Sequence, residues 1–156
     1  QQKTKQDTIQ GFCKKIKIAK KSKITDDLMI VARIESFILK KGLNDALKRA
    51  EAYSSSGADA ILIHSKEKTP NEIFKFAKKF KKSKFAKPMI CVPSTYSKTK
   101  EEDLIKNGFK VVIYANHLLR ASYPAMLKTA KTILTKRRGL EVDKSITPIK
   151  DIIKLI

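Results

Sequence analysis

The stretch LMIVARIE, residues 28–35, decides how this chain folds. Five apolar residues in a row are followed by Arg33 and Glu35 at its end. A strand in a parallel sheet is covered on both faces, so it reads as an unbroken apolar run; a strand with one wet face alternates. Charged residues at the C-terminal end of such a strand stand where α/β folds hold their ligands, because the loops there vary above a packed core. About one βα unit later the pattern returns as AILIHS, residues 60–65, with His64 in the matching place. Arg33 and His64 are therefore expected as neighbours at one rim of a sheet.

Working outward, two more apolar runs follow, at residues 89–92 and 110–115. Helical periodicity fills the gaps between the runs. A helix is expected from Asp7, with Ile9, Phe12, Cys13 and Ile16 on one face and Asp7 or Thr8 as its cap. Leu43, Ala46, Leu47, Ala50 and Tyr53 make a second stripe, which Gly57 would end in the left-handed region. Thr69-Pro70-Asn71-Glu72 predicts a helix start with threonine as N-cap and proline at the first helical position. A short helix over residues 99–107, capped by Thr99, should precede the fourth strand. A longer one over 117–136 contains Pro124, expected to start a new turn or kink it, and Gly139 as its stop. Residues 145–156 read as a final amphipathic helix. The order is α, then βα four times, then α, which predicts a parallel sheet with right-handed crossovers. An open doubly wound sheet and four eighths of a (β/α)₈ barrel both fit that order. Either way, residues 1–156 are expected as one domain, with residues 1–7 frayed.

At 156 residues and 42% hydrophobic content the chain can bury one core. No apolar run approaches the roughly 20 residues of a membrane span, and QQKTKQDTIQ has no apolar segment of a signal peptide. Cys13 and Cys91 read as reduced, buried thiols of a cytoplasmic protein. The formal charge of +20 is carried mostly by lysine, spread over every expected helix. Nucleic-acid readers lean on arginine forks, aromatic stacking or a concentrated basic stripe. The densest cluster, seven lysines in residues 75–87, surrounds Phe74, Phe76, Phe80 and Phe85 at near-helical spacing, so those rings are expected to face a core. A basic polyanion-binding or RNA-binding module remains the alternative of another class, resting on charge alone.

The four strand ends offer Arg33 and Glu35, His64 and Ser65, Ser94 and Thr95, then Asn116 and His117. An arginine can grip a carboxylate or phosphonate with two parallel N–H bonds, and a histidine beside it can donate to the same anion or move a proton. The competing reading is that Arg33 and Glu35 merely pair with each other, and that His117 caps or packs. No G-x-G-x-x-G follows a strand, no P-loop and no G-x-S-x-G is present, and no Cys/His spacing suggests zinc.

At these residues the sequence resembles the phosphoenolpyruvate mutase branch of the isocitrate lyase superfamily. The words that carry the resemblance are IVARIESFI, ALKRAEAYSSSGADAILIHSKEKTPNEI, VPSTY, GFKVVIYANHLLRASYPAM and PIKDIIKLI, in order over residues 12–156. The resemblance implies a (β/α)₈ barrel that uses Mg²⁺ to interconvert phosphoenolpyruvate and phosphonopyruvate, assembled as a homo-oligomer with a swapped eighth helix. It implies that Arg33 binds the substrate anion and that His64 contacts substrate and takes part in catalysis. The family's acidic metal-site residues and its gating loop belong to the first half of the barrel, and nothing in residues 1–27 matches them. The resemblance therefore implies the C-terminal half of the barrel. Its Mg²⁺ ligands would lie in the other half, it would be inactive by itself, and two sheet edges would await a partner. Phosphonopyruvate hydrolase, another lyase of the superfamily and a fragment kept only for oligomerisation are the remaining readings.

Overall fold

The computed structural model describes residues 5–155. In chain order these form α1 (Ile9–Lys21), β1 (Val31–Ile34), α2 (Gly42–Ser55), β2 (Ala60–Ile63), α3 (Asn71–Phe80) and β3 (Met89–Cys91). Then come α4 (Glu101–Lys106), β4 (Phe109–Val112), α5 (His117–Lys136), a 3₁₀ turn (Asp143–Ser145) and α6 (Ile149–Ile153). Two compact units result, one ending at Ala115 and the other beginning at Asn116.

The first unit holds one parallel sheet in the order β1-β2-β3-β4. Each strand lies beside its successor, so the sheet has no point at which strand order reverses. Its two faces are covered differently. Ala32, Ile34, Ile61, Ile63, Met89, Cys91 and Phe109 pack with residues of α1 to α4 into the main core. On the other face Ala60, Leu62, Ile90 and Val92 form a separate small cluster with Ala115, which includes no residue from a described helix of the same unit. A doubly wound sheet carries helices on both faces; one-sided cover with sequential order is the geometry of an arc of a barrel. That decides between the two arrangements left open by the element order.

The core is made by the expected stripes. Ile73, Phe76, Ala77 and Phe80 of α3 are fully buried, with the two phenyl rings stacked at 5.4 Å. Each such ring contributes about 1.5–3 kcal/mol by leaving water. Asp59 ties three elements together. Its carboxylate accepts from the Ile30 amide at 2.9 Å and from Lys20 Nζ at 2.7 Å, joining the end of α1 to the starts of β1 and β2. Gly57 takes φ +110° after α2, where a side chain would be strained.

Several local expectations need correction. Thr8 does cap α1, accepting from the Gly11 amide at 3.0 Å. Thr69 and Thr99 do not cap α3 and α4, which start after Pro70 and Lys100 with no side-chain cap bond. Helix α5 runs on through Pro124 as a single element, and the left-handed residue after it is Arg137 at φ 54°, upstream of Gly139. The last helical segment is split into the 3₁₀ turn and the short α6. Of the residues expected to fray, 1–4 lie outside the described residues, whereas the Asp7 carbonyl accepts from Arg49 Nη1 at 2.9 Å. The second unit, taken by itself, has a groove of about 570 Å³ lined mainly by Met126, Ala130, Ile133, Ile146 and Ile152.

Candidate functional site

Register places the two predicted site residues. Arg33 of β1 lies opposite Leu62 of β2, and His64 stands two residues beyond Leu62. Registered neighbours in a parallel sheet share a face, and so do residues two apart on one strand. Arg33 and His64 therefore project from the same face, the one no helix of this unit covers, at the carboxyl ends of adjacent strands. They are close enough for the Arg33 charge to act on His64.

Glu35, two residues past Arg33, accepts from its Nε. Arginine offers five N–H donors, and this contact occupies one. Among the described residues neither Nη nitrogen has a partner, and the Arg33 side chain is 53% exposed. The pairing suspected from the sequence is thus real, yet it leaves the forked end of the guanidinium open to an anion.

His64 is half-buried, and its Nδ1 is enclosed with no hydrogen-bond partner among the described residues. Burial holds its basicity below the usual histidine range; the Arg33 charge adds to that, Glu35 opposes it, and Lys66 lowers it again. The ring is accordingly neutral near pH 7, with Nε2 as the nitrogen available to a ligand. An anion arriving beside Arg33 would make protonation of that ring easier.

The other strand-end residues do different things. Ser65 is fully buried, donates to Glu72 at 2.6 Å and accepts from the Glu67 amide at 3.1 Å, while Thr95 donates to the Ser65 carbonyl at 3.1 Å. These bonds stitch the β2 and β3 rims together and so fix the loop that follows His64. A cavity of about 340 Å³ nearby is lined by Phe37, Ile38, Lys40, Gly42, Lys66, Glu67 and Glu72, without Arg33 or His64. Cys91 lies under the rim, and burial pushes its thiol up to about 11, which removes it as a nucleophile. Asn116 and His117 fall in the second unit, where they open α5. The lysines of residues 75–87 are all exposed, but Phe76 and Phe80 are buried and offer no stacking surface.

Sequence reasoning overlooked Arg49. It is 4% exposed and donates to Asp45 at 3.0 Å, to the Tyr53 hydroxyl at 2.8 Å and to the Asp7 carbonyl. Asp45 in turn accepts from the buried Ser36 hydroxyl at 2.7 Å. Burial works against the charge on Asp45, yet the Ser36 and Arg49 hydrogen bonds hold its carboxyl below the usual range. The network anchors the turn that follows Glu35. Its signal was the spacing Asp45, Arg49, Tyr53, three polar tips four residues apart on the buried face of α2.

A family model described as phosphoenolpyruvate phosphomutase matches residues 1–134. The chain belongs to the phosphoenolpyruvate phosphomutase family. It is 41% identical, over 147 residues, to a phosphoenolpyruvate phosphomutase of Tetrahymena pyriformis, a span of 94% of this chain and 48% of that one. The crystal structure of a phosphoenolpyruvate phosphomutase from Streptomyces platensis subsp. rosaceus matches at TM-score 0.88 and 35% identity, covering 98% of this chain and 52% of that one. A phosphonopyruvate hydrolase in complex with oxalate and Mg²⁺ matches at TM-score 0.85 and 35% identity, covering 96% and 52%. The chain spans about half the length of the relatives it matches, and its four βα units are half of the family's barrel.

Among the described residues no three His, Cys, Asp or Glu side chains gather as a metal site, and the rim carboxylate, Glu35, is engaged by Arg33. These residues do not by themselves make a Mg²⁺ site. No helix among them is long and apolar enough to cross a membrane.

Proposed function

We propose that this chain supplies the anion-binding side of an active site that interconverts phosphoenolpyruvate and phosphonopyruvate. In that isomerisation the bond from phosphorus to the enolate oxygen breaks and a bond from phosphorus to carbon forms, so no co-reactant is needed. Arg33 would hold the substrate anion through its open Nη pair, and His64, neutral and with Nε2 free, would donate to the same anion and carry catalysis. Fixing the anion against a preorganised donor set positions the reacting atoms and stabilises their charge. The observation that carries this reading is the placement of Arg33 and His64 on one face at adjacent strand ends, in a chain of this family.

The Mg²⁺ requirement belongs with the other half of the barrel, where the ligands would reside. That half, as a complementary half-barrel or within a homo-oligomer, would cover the inner sheet face and the two strand edges. The two free cysteines fit a cytoplasmic setting.

In the completed barrel, Arg33→Ala should lower phosphonopyruvate turnover by at least about a hundredfold. Turnover within a few-fold of the parent would defeat the reading. A second reading, phosphonopyruvate hydrolase, draws support from a solved hydrolase structure that is also 35% identical. Release of inorganic phosphate and pyruvate, in place of phosphoenolpyruvate, would select it.

A further inference from the structure

We infer that Glu35 is a positioning residue for the Arg33 guanidinium, so that the anion is met end-on by the Nη1–Nη2 edge. The inference rests on the reading of Arg33 as the anion ligand and goes beyond it. A guanidinium offers a planar anion two bidentate edges, one made by Nε with an Nη and one made by the two Nη nitrogens. Glu35 engages Nε, so the end-on edge is the one left without a partner among the described residues. Arg33 has no other polar contact among the described residues, and more than half of its side chain is exposed. Without Glu35 it would be a long flexible chain whose rotamers had to be fixed at each binding event.

The position of Glu35 is itself held. Ser36 follows it directly and is fully buried, with its hydroxyl on Asp45. The turn continues with the Leu39 amide on the Glu35 carbonyl at 3.0 Å and the Lys41 amide on the Ser36 carbonyl at 2.8 Å. The carboxylate thus starts from a rigid backbone, which a positioning group requires.

A negative charge beside Arg33 also weakens the site's pull on anions, so charge and position make opposite predictions. Oxalate, in the completed barrel with Mg²⁺ present, is the probe. Glu35→Ala should weaken oxalate binding about 3- to 10-fold, the cost of ordering one long side chain. Glu35→Gln keeps an acceptor for Nε while removing the charge, and should stay within about 2-fold of the parent. The ¹⁵N–¹H resonance of Arg33 Nε, assigned by its loss in Arg33→Lys, should persist in Glu35→Gln and vanish in Glu35→Ala. Tighter oxalate binding in both Glu35 variants would overturn the inference, since charge alone would then explain Glu35. Arg33→Ala separates the two levels. If it abolishes oxalate binding while Glu35→Ala does not weaken it, positioning fails and the anion reading stands; if it leaves oxalate binding intact, the anion reading itself fails.

Discussion

Replacing Arg49 by methionine should destabilise the fold by about 2–4 kcal/mol, although the residue lies outside the site. Methionine fills most of the same volume, so the loss is chiefly polar. Three contacts disappear: Asp45 at 3.0 Å, the Tyr53 hydroxyl at 2.8 Å and the Asp7 carbonyl at 2.9 Å. Removing one partner of a buried ion pair costs roughly 3–5 kcal/mol, because the remaining charge is stranded. The Asp45 side chain is 26% exposed and keeps its Ser36 donor, which brings the figure down to about 2–4 kcal/mol. At the roughly 2–4 °C per kcal/mol typical of proteins of 150–250 residues, the corresponding fall in Tm is about 4–16 °C. Thermal and urea melts of the completed barrel, followed by far-UV circular dichroism, measure it. A double variant, Arg49→Met with Asp45→Asn, should be milder than the sum of the two single changes, since the stranded charge is gone. The acid limb supplies an independent check. With its folded pKa held below 3.8, Asp45 contributes stability that is present above that value and lost as pH falls through the folded one. Arg49→Met should shrink that acid-labile part. A single variant within about 0.5 kcal/mol of the parent, or strict additivity in the double, would refute the argument.

Other consequences follow from single groups. His64 titrates below its ordinary 6.5, first because of burial and then because of Arg33; the unfolded chain therefore takes up its proton first as pH drops. Stability should fall from about pH 6.5 downward until the folded ring also protonates, and His64→Gln should flatten that limb of the urea-melt profile. A limb unchanged by the substitution would show that His64 is not the group responsible. Cys91, fully buried and pushed up to about 11, should resist iodoacetamide at pH 8 while the half-buried Cys13 reacts, as read by mass spectrometry. Equal labelling of the two would contradict the packing of β3.

What the sequence made legible, and what it hid, follows from where the information resides. The apolar run at residues 28–35 announced a strand and its rim residues correctly, yet β1 begins only at Val31. Leu28 and Met29 are exposed at 60% and 55%. The reason is pairing: Val31 is opposite Ala60, the first residue of β2, and the ladder cannot start before its partner does. Hydrophobicity shows that a segment wants cover, whereas strand limits depend on a neighbour some 30 residues away. The threonines at 69 and 99 failed as caps for a similar reason, since a cap needs the first helical amides to turn toward the hydroxyl. Arg49 was passed over because a charged residue on an apolar stripe looks like an interruption, and only its i−4 and i+4 partners turn it into a bridge. Glu35 was legible as a neighbour of Arg33, but which nitrogen it would engage was not.

The inner face of the sheet carries the last step. A continuous apolar run implied strands buried on both sides, and the middle strands are buried there: Leu62 and Ile90 are 8% and 6% exposed. The outer strands do not. Val31, Val111 and Ile113 point to the same face at 40%, 46% and 38% exposure. Apolar side chains on the flanking strands gain nothing from facing water, and a one-sided sheet would carry polar residues there in alternation. The sequence of this unit is therefore fitted to a surface beyond its own helices, one that would close over Arg33 and His64 as well. Closing that space removes water from around the guanidinium and the imidazole, and their attraction for an anion strengthens as the local dielectric falls. The same apolar strands that make the half-barrel incomplete thus set the condition under which its two polar side chains would act strongly.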